Sequence, residues 1–540
     1  MKKFSSQSRP KPRTSPGRKP RPTKSIVAAP RSIEAEAPAT LEPVEERVGR
    51  THPGPGNSPR RYVHDNGARE RRSEGERHRA GKAGGKKASG GKRRRPLEIP
   101  AISVTRLAEV TAEIAGHIER SVLGGSPGRR ADRELATSLR NRHELALADQ
   151  RFVSRATFSL FRWRGWVEFL KLESIEERLL WSCLLDSPTM HPALRVWARM
   201  AGREPERLMP LGDAPDWPAR SEGWRRLHGG RHVNADPWRL FPTWFREQLP
   251  IPPGGESPKA RYIALLGALQ RPAPLWVRVQ EGDPKAVWKE LRDQGQKPWV
   301  HRRITSAAKL DHGVDLHHSP IFERGAIEIQ DLASQAVGFA CDPDPGERWW
   351  DACAGAGGKA LHLASLMKGR GVVVATDVHA RPLQECVRRA RRSPFRNLTT
   401  RDWDGKHVAG RTASFDGVLV DAPCSAIGTW RRNPDSRWTL ACNTIDRLAA
   451  LQGRILGFAA AGVKPGGVLV YSVCTITASE TRGVVQAFLD THPQFALDPF
   501  PNPLDGAPCD GMLQIWPQDA DSDAMFIARM IRTAKRTAQT

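Results

Sequence analysis

The stretch that decides the fold is Asp351-Ala-Cys-Ala-Gly-Ala-Gly-Gly-Lys359, which follows the run Glu347-Arg-Trp-Trp350 without a break. It reads as a strand that ends in a glycine turn and opens a helix at Lys359-Ala-Leu-His-Leu. Glycine lets the backbone turn tightly, and its missing side chain lets a ligand approach closely. The turn is not a phosphate loop of the GxxxxGK[ST] kind, because Ala360 follows Lys359 and the glycine spacing differs. Alone it suits any nucleotide-like ligand.

The next strand, Gly371-Val-Val-Val-Ala-Thr-Asp377, ends in an acid 22 residues beyond Gly355. An acid at that distance can bind ribose hydroxyls. Asp404, in Leu-Thr-Thr-Arg-Asp-Trp-Asp404, stands at the following strand end, where an adenine amino group would lie. Together these residues point to a cofactor containing adenosine, either a dinucleotide or S-adenosylmethionine. Strand and helix alternate through 340–540, which implies an α/β domain with a parallel sheet covered on both faces. Such sheets bind ligands at the carboxyl ends of their strands. Two later strands end there in cysteines: Asp421-Ala-Pro-Cys424 and Val470-Tyr-Ser-Val-Cys474. A lone cysteine is more often a small buried hydrophobe. A pair at neighbouring strand ends, with Asp421 beside one of them, points to thiol chemistry.

The rest of the chain divides by composition. Residues 1–98 are rich in Pro, Gly, Ser and Arg, poor in large apolar residues, and read as a disordered basic tail. Residues 1–100 hold 26 Lys and Arg against 10 Asp and Glu, so +16 of the chain's net charge of +26 lies there and +10 in the other 440 residues. Residues 99–236 show apolar residues at helical spacing and read as an all-α domain with a linker. Leu160, Phe161, Trp163, Trp166 and Val167 form its expected core face, with Arg155, Arg162 and Arg164 nearer the outside. Residues 237–339 mix helix and strand and read as a small α/β module. No run approaches the roughly 18 apolar residues of a membrane helix, and the basic start lacks the apolar segment of a secretory signal. None of the eight cysteines forms a CxxC pair, which disfavours a zinc ribbon and a disulfide framework. The expectation is a cytoplasmic, monomeric protein without a metal that meets a polyanion.

The motifs DACAGAGGK, ATD, DAPCSAIGTWRRNPDSRW and YSVCT resemble, in order and spacing, those of the RNA 5-methylcytosine methyltransferases of the RsmB/Nop/Sun type. FERGAIEIQDLASQ resembles the segment leading into their catalytic domain, and SDAMFIARMIR its closing strand. The likeness covers roughly Pro237 to Arg532. More faintly, LADQRFVSRATFSLFRWRGWVEFL is similar to the NusB-like RNA-binding domain of the bacterial ribosomal RNA enzyme. The resemblance implies a Rossmann-like class I methyltransferase domain that uses S-adenosyl-L-methionine. It implies that Cys353, Ala354, Gly355, Ala356, Gly357, Gly358, Lys359, Asp377, Asp404 and Asp421 hold that cofactor. Cys474 is then the nucleophile and Cys424 assists product release. Asp421 hydrogen-bonds the base, and Lys359 steadies the same pocket. Arg431, Arg432 and Arg437, interleaved with Trp430 and Trp438, are expected along an RNA path. Two departures stand out. Ala356 replaces a proline of the family's APGGK loop, which should cost rigidity rather than a contact. Val473 and Thr475 replace the usual neighbours of the last cysteine.

The reaction implied is methylation of cytosine carbon 5 in ribosomal RNA, with transfer RNA as the rival substrate. A reading of another class is an RNA-binding ribosome-assembly factor with weak catalysis, against which both cysteines and Asp421 are retained. A DNA cytosine methyltransferase ranks low, because Pro423-Cys424-Ser425 lacks the glutamine of that family's Pro-Cys-Gln turn.

Overall fold

A computed structural model describes residues 102–124, 128–214, 216–229, 233, 235–250, 257–311 and 316–533. The basic segment 1–98, read as disordered, lies outside the described residues.

Seven helices come first: α1 (Val104–Leu123), α2 (Ala131–Arg140), α3 (Leu147–Val167), α4 (Ile175–Asp186), α5 (Pro192–Met200), α6 (Trp217–Leu227) and α7 (Pro258–Gln270). Small polar side chains start several of them. Ser103, Ser174 and Asp216 each accept a hydrogen bond from a backbone N–H of the first turn, which satisfies a donor the helix cannot. Helix α3 buries Leu160, Phe161, Trp163, Trp166 and Val167, the face its spacing indicates. Arg162 is not on the outside. Its side chain is buried, its guanidinium lies 2.8 Å from Asp186, and it donates to the carbonyl of Arg431.

The helical layer does not stop at residue 236. Phe241, Phe245, Leu265 and Leu269 join the same apolar core as Trp163, Trp166 and Trp224. The described parts of this stretch, 237–250 and 257–270, thus pack with the helices rather than with the sheet that follows. Ile427, Trp430 and Trp516 from the C-terminal part enter that core too. The helices are therefore fixed to the loop that follows Cys424.

The small module holds β1 (Leu275–Val279), α8 (Pro284–Asp293), β2 (Trp299–Val300), β3 (Ala307–Leu310), α9 (Pro320–Glu323) and β4 (Ile327–Ile329). Its strands are all antiparallel, in the order β2-β3-β1-β4, with the two-residue β2 at one edge.

Helix α10 (Leu332–Cys341) leads to the large sheet: β5 (Arg348–Asp351), α11 (Gly358–Leu366), β6 (Val372–Asp377), α12 (Ala380–Arg392), β7 (Leu398–Asp402), β8 (Phe415–Asp421), α13 (Ser436–Thr439), α14 (Asn443–Ala460), β9 (Val463–Val473), α15 (Val484–Thr491) and β10 (Phe495–Leu497). A two-stranded ribbon, β11 (Phe500–Pro501) with β12 (Pro508–Cys509), precedes β13 (Met512–Ile515), α16 (Pro517–Ala520) and β14 (Met525–Arg532). The order across the sheet is β10-β14-β9-β8-β5-β6-β7, with β13 also on β14. Strands β9, β8, β5, β6 and β7 are parallel, and β14 runs antiparallel to β9. Alternate residues serve opposite faces. Trp350, Val418, Val420 and Tyr471 pack in one core, with Ile455 and Leu456 of α14, while Trp349, Leu419 and Val470 pack in the other with α10 and α11. This arrangement places the ends of β5, β6, β8 and β9 side by side.

Candidate active site

The chain leaves β5 through the glycine turn. Gly355 and Gly357 have φ of +54° and +83°, a region that L side chains rarely adopt. A Cβ at Gly357 would sit 2.4 Å from the Cys386 sulfur, so α12 packs against that side of the turn. A Cβ at Gly355 would meet nothing within 4 Å, so that side is an open cradle. The N–H of Gly355 donates to Asp377 Oδ2 at 2.8 Å, and the N–H of His379 donates to Oδ1 at 2.8 Å. The turn and the acid after β6 are thus one structure. The turn is also held at position 356. The Ala356 carbonyl accepts from Arg389 of α12 at 2.9 Å, and Arg389 is ion-paired with the buried Glu328 of β4 at 2.8 Å. Burial pushes the Cys353 thiol well up, and burial with Asp421 nearby pushes Asp351 up to about 8. Asp351 therefore keeps its proton at neutral pH.

Asp404 is exposed. Its Oδ1 accepts from the N–H groups of Lys406 and His407 at 2.9 and 3.0 Å, and its Oδ2 meets the His407 ring. The His407 contact, followed by these backbone bonds, holds the carboxyl well below the usual range. The loop adjoins the acid after β6, since a Cβ at Gly405 would lie 3.4 Å from Val378.

At the ends of β8 and β9 the two thiols face each other, Sγ to Sγ at 3.4 Å. Lys359 Nζ lies 2.7 Å from Asp421 Oδ2, and Ser472 Oγ donates to Asp421 Oδ1 at 2.8 Å. The register Asp421↔Ser472 of β8 on β9 makes that second bond. Burial would lower the Lys359 ammonium's pKa, but the Asp421 carboxylate outweighs it and holds the pKa above its usual value. The hydrogen bond to Cys474, with burial, pushes the Cys424 thiol well up. Cys424 thus stays protonated and able to donate a hydrogen bond.

A residue not singled out in the sequence joins the two thiol loops. Glu480 is fully buried and its carboxyl accepts from both sides. Ser425, next to Cys424, donates through its N–H at 2.8 Å and through its hydroxyl. Thr475, next to Cys474, donates at 3.2 Å, Thr477 at 2.9 Å and Gln452 at 3.0 Å. Thr477-Ala-Ser-Glu480 has the pattern of a capping box, which in sequence reads as an exposed helix start. The hydroxyl residues around it were the only signal of burial.

The three arginines of the expected RNA path part company. Arg437 is fully buried and donates to the carbonyls of Leu240, Leu269 and Trp430 and to Gln270 Oε1, so it holds the core together and does not reach the surface. Arg431 is nearly as buried, bonded to the carbonyls of Ser522 and Pro272 and to Asp521, with only its edge on a cleft. Arg432 is exposed and paired with Asp523.

Among the described residues, no group of three or more His, Cys, Asp or Glu could hold a metal ion, and no helix is long and apolar enough to cross a membrane.

The parallel sheet, the glycine turn with its acid and the strand-end groups define a Rossmann-like methyltransferase domain. The family "16S rRNA methyltransferase RsmB/F" matches residues 339–531. A probable ribosomal RNA small subunit methyltransferase B of Bacillus subtilis is 39% identical over 217 residues, 39% of this chain and 48% of that protein. The ribosomal RNA small subunit methyltransferase B of Salmonella paratyphi C is 32% identical over 304 residues, 56% of this chain and 68% of that protein. The match takes in about half the length of the Bacillus relative, and 60% of the Salmonella typhi one. The crystal structure of PH0851 shares the fold, with a TM-score of 0.61 at 23% identity, covering 80% of this chain and 99% of that one. The chain belongs to the RsmB/F methyltransferase family. Methyltransferases of this family use S-adenosyl-L-methionine, and the open cradle at Gly355 beside Asp377 fits that cofactor.

Proposed function

We propose that the protein methylates carbon 5 of a cytosine in ribosomal RNA through a covalent bond between Cys474 and the base. The observation that carries this reading is the pair of thiols 3.4 Å apart beside the Lys359–Asp421 ion pair. Carbon 5 of cytosine is too weak a nucleophile to take a methyl group unaided. Addition of the Cys474 thiolate to carbon 6 forms the S–C6 bond and moves the C5–C6 π electrons onto carbon 5. Asp421, held by Lys359 and Ser472, accepts from the exocyclic amine and, once ring nitrogen 3 takes up a proton from solvent, from that N–H as charge develops there. S-adenosylmethionine, held by the glycine turn 353–359, Asp377 and Asp404, supplies an electrophilic methyl group when bound. A water molecule acting as base takes the carbon 5 proton, the C5–H electron pair restores the C5–C6 double bond, and the thiolate leaves carbon 6 with the S–C6 pair. Cys424, kept protonated, donates an S–H hydrogen bond to the departing Cys474 thiolate, which stabilises it without a net proton transfer. The target must be unstacked to enter such a pocket, which favours a single-stranded or flipped cytosine. The α1–α7 domain, whose likeness to NusB-like RNA-binding domains is faint, would grip the RNA.

The test is methyl transfer from labelled S-adenosylmethionine to ribosomal and transfer RNA, followed by nucleoside digestion. Label in 5-methylcytidine from ribosomal RNA, lost in Cys474→Ala, is expected. Full activity in Cys474→Ala contradicts the mechanism, and label in another nucleoside contradicts the position. Label in transfer RNA alone moves the substrate to that class.

A further inference from the structure

A cleft of about 1150 Å³ opens between the helical layer, the antiparallel module and the loop after Cys424. One wall is a single face of α3, where Arg151, Arg155 and Phe158 recur at helical spacing. The opposite wall carries Lys297, Trp299 and Lys309 at the β2 edge of the module, and Arg271 lies between them.

The charges in this cleft are not balanced. Eight of its lining residues are Lys or Arg and three are Asp. Arg162 is taken by Asp186, Arg431 and Lys309 by Asp521, and Arg432 by Asp523. That leaves Arg151, Arg155, Arg271 and Lys297, for which no ion pair exists among the described residues. Four unpaired cations around one cleft repel each other, so folding gives no reason to gather them. Beside them, Trp299 is 55% exposed. Its ring is braced by Trp276, edge-on at 5.9 Å, and by the Lys309 ammonium 5.0 Å from its centroid. A braced, exposed indole among unpaired cations is the combination that holds single-stranded nucleic acid: the cations meet phosphates, and the ring meets a base face.

We propose that this cleft seats the single-stranded RNA segment flanking the target cytosine, with Arg151, Arg155, Arg271 and Lys297 on phosphates and one base stacked on Trp299. This rests on the RNA reading above and assigns the grip to residues other than Arg437. Through Arg432 the cleft is tied to the loop that carries the thiols. Arg432 lines it, and the partner of Arg432, Asp523, precedes Ala524. The Ala524 N–H donates to the Gly428 carbonyl at 3.0 Å, and the Gly428 N–H donates to the Cys474 carbonyl at 3.0 Å.

The experiment uses the full chain and a short labelled oligoribonucleotide, read by fluorescence anisotropy across a salt series. A base-free polyanion, heparin, serves as competitor, and a perfectly paired RNA hairpin as the alternative ligand. Stacking on one aromatic ring sets the size of the effect, so Trp299→Ala should raise Kd about 5- to 50-fold for single strands, with Trp299→Phe recovering most of it. Each lost phosphate contact removes about 0.7 from the slope of log K against log salt, so Arg155→Gln/Arg271→Gln should flatten it by about 1.4. Lys289→Gln, on the outer face of α8, should bind as the parent does. Unchanged single-strand affinity in both cleft variants overturns the proposal, as does an equal loss of heparin binding in Trp299→Ala. A preference for the hairpin that survives Trp299→Ala assigns the cleft to duplex RNA and overturns it too. Wild-type methyl transfer to RNA with unaltered KM in the cleft variants removes the cleft and leaves the enzyme. Loss of RNA binding in the variants of a protein that transfers no methyl group removes the enzyme and leaves the cleft.

Discussion

The thiol pocket and the basic cleft share one loop, residues 421–438, yet treat charge in opposite ways. In the pocket the charged side chains Lys359, Asp421 and Glu480 are committed. Lys359 is locked on Asp421, Asp421 on Ser472, and Glu480 between the two thiol loops. In the cleft Arg151, Arg155, Arg271 and Lys297 have no ion-pair partner among the described residues. The difference follows from the tasks. A reaction needs groups held in place before charge develops, so that none has to reorganise during the step. A polyanion is held by charges that are free to exchange water and counterions for phosphate.

That contrast can be broken most sharply inside the pocket. Lys359→Gln leaves Asp421 without its cation, and kcat for methyl transfer should fall by about 10²- to 10³-fold with KM for RNA nearly unchanged. A rise in KM alone, with kcat unchanged, would place Lys359 among binding residues instead. Glu480→Ala leaves five donors without their acceptor. Folding stability should drop by about 3 kcal/mol or more in a urea melt, and a loss below about 1 kcal/mol would mean that water replaces the carboxyl.

Arg437 offers the next test. Arg437→Met strips donors from three buried carbonyls, so stability should fall by about 2–3 kcal/mol, while the salt slope of RNA binding stays as in the parent. A flattened slope would return Arg437 to the RNA path. The smallest effect concerns pH. The Asp351 carboxyl is raised to about 8 by burial, so between its ordinary value and pH 8 the folded state binds a proton that the unfolded chain has released. Stability therefore falls as pH rises through that window. Asp351→Asn should remove this part of the slope in thermal melts from pH 5 to about 8, and an unchanged slope would show that Asp351 ionises freely.

What could be read in the sequence was local. The strand–turn–helix at 348–366, the acid after β6 and the two cysteines each lie within a few residues of a strand end, and alternating strands and helices bring those ends together. Glu480 escaped notice because its partners come from three separate segments, around Ser425, Gln452 and Thr475. Arg437 was misjudged for the same reason: a charge run beside tryptophans suits a nucleic-acid surface, and only the packing of Phe241 and Trp430 around it shows a core. That Phe241 and Leu265 pack with the helices is not legible in the sequence, because such residues look alike whether they face a sheet or other helices. The open cations of the cleft were out of reach, because an arginine's lack of a partner is a property of the folded molecule.

The central claim is that Cys474 bonds to the base and that Cys424 lets it go. The direct measurement is denaturing gel electrophoresis of Cys424→Ala after incubation with S-adenosylmethionine and ribosomal RNA, with peptide mapping of any shifted species. The expected product is a protein–RNA adduct that survives denaturation, mapped to the peptide containing Cys474 and absent from Cys424→Ala/Cys474→Ala. Rapid turnover by Cys424→Ala without an adduct, or an adduct that persists when Cys474 is also replaced, would contradict it.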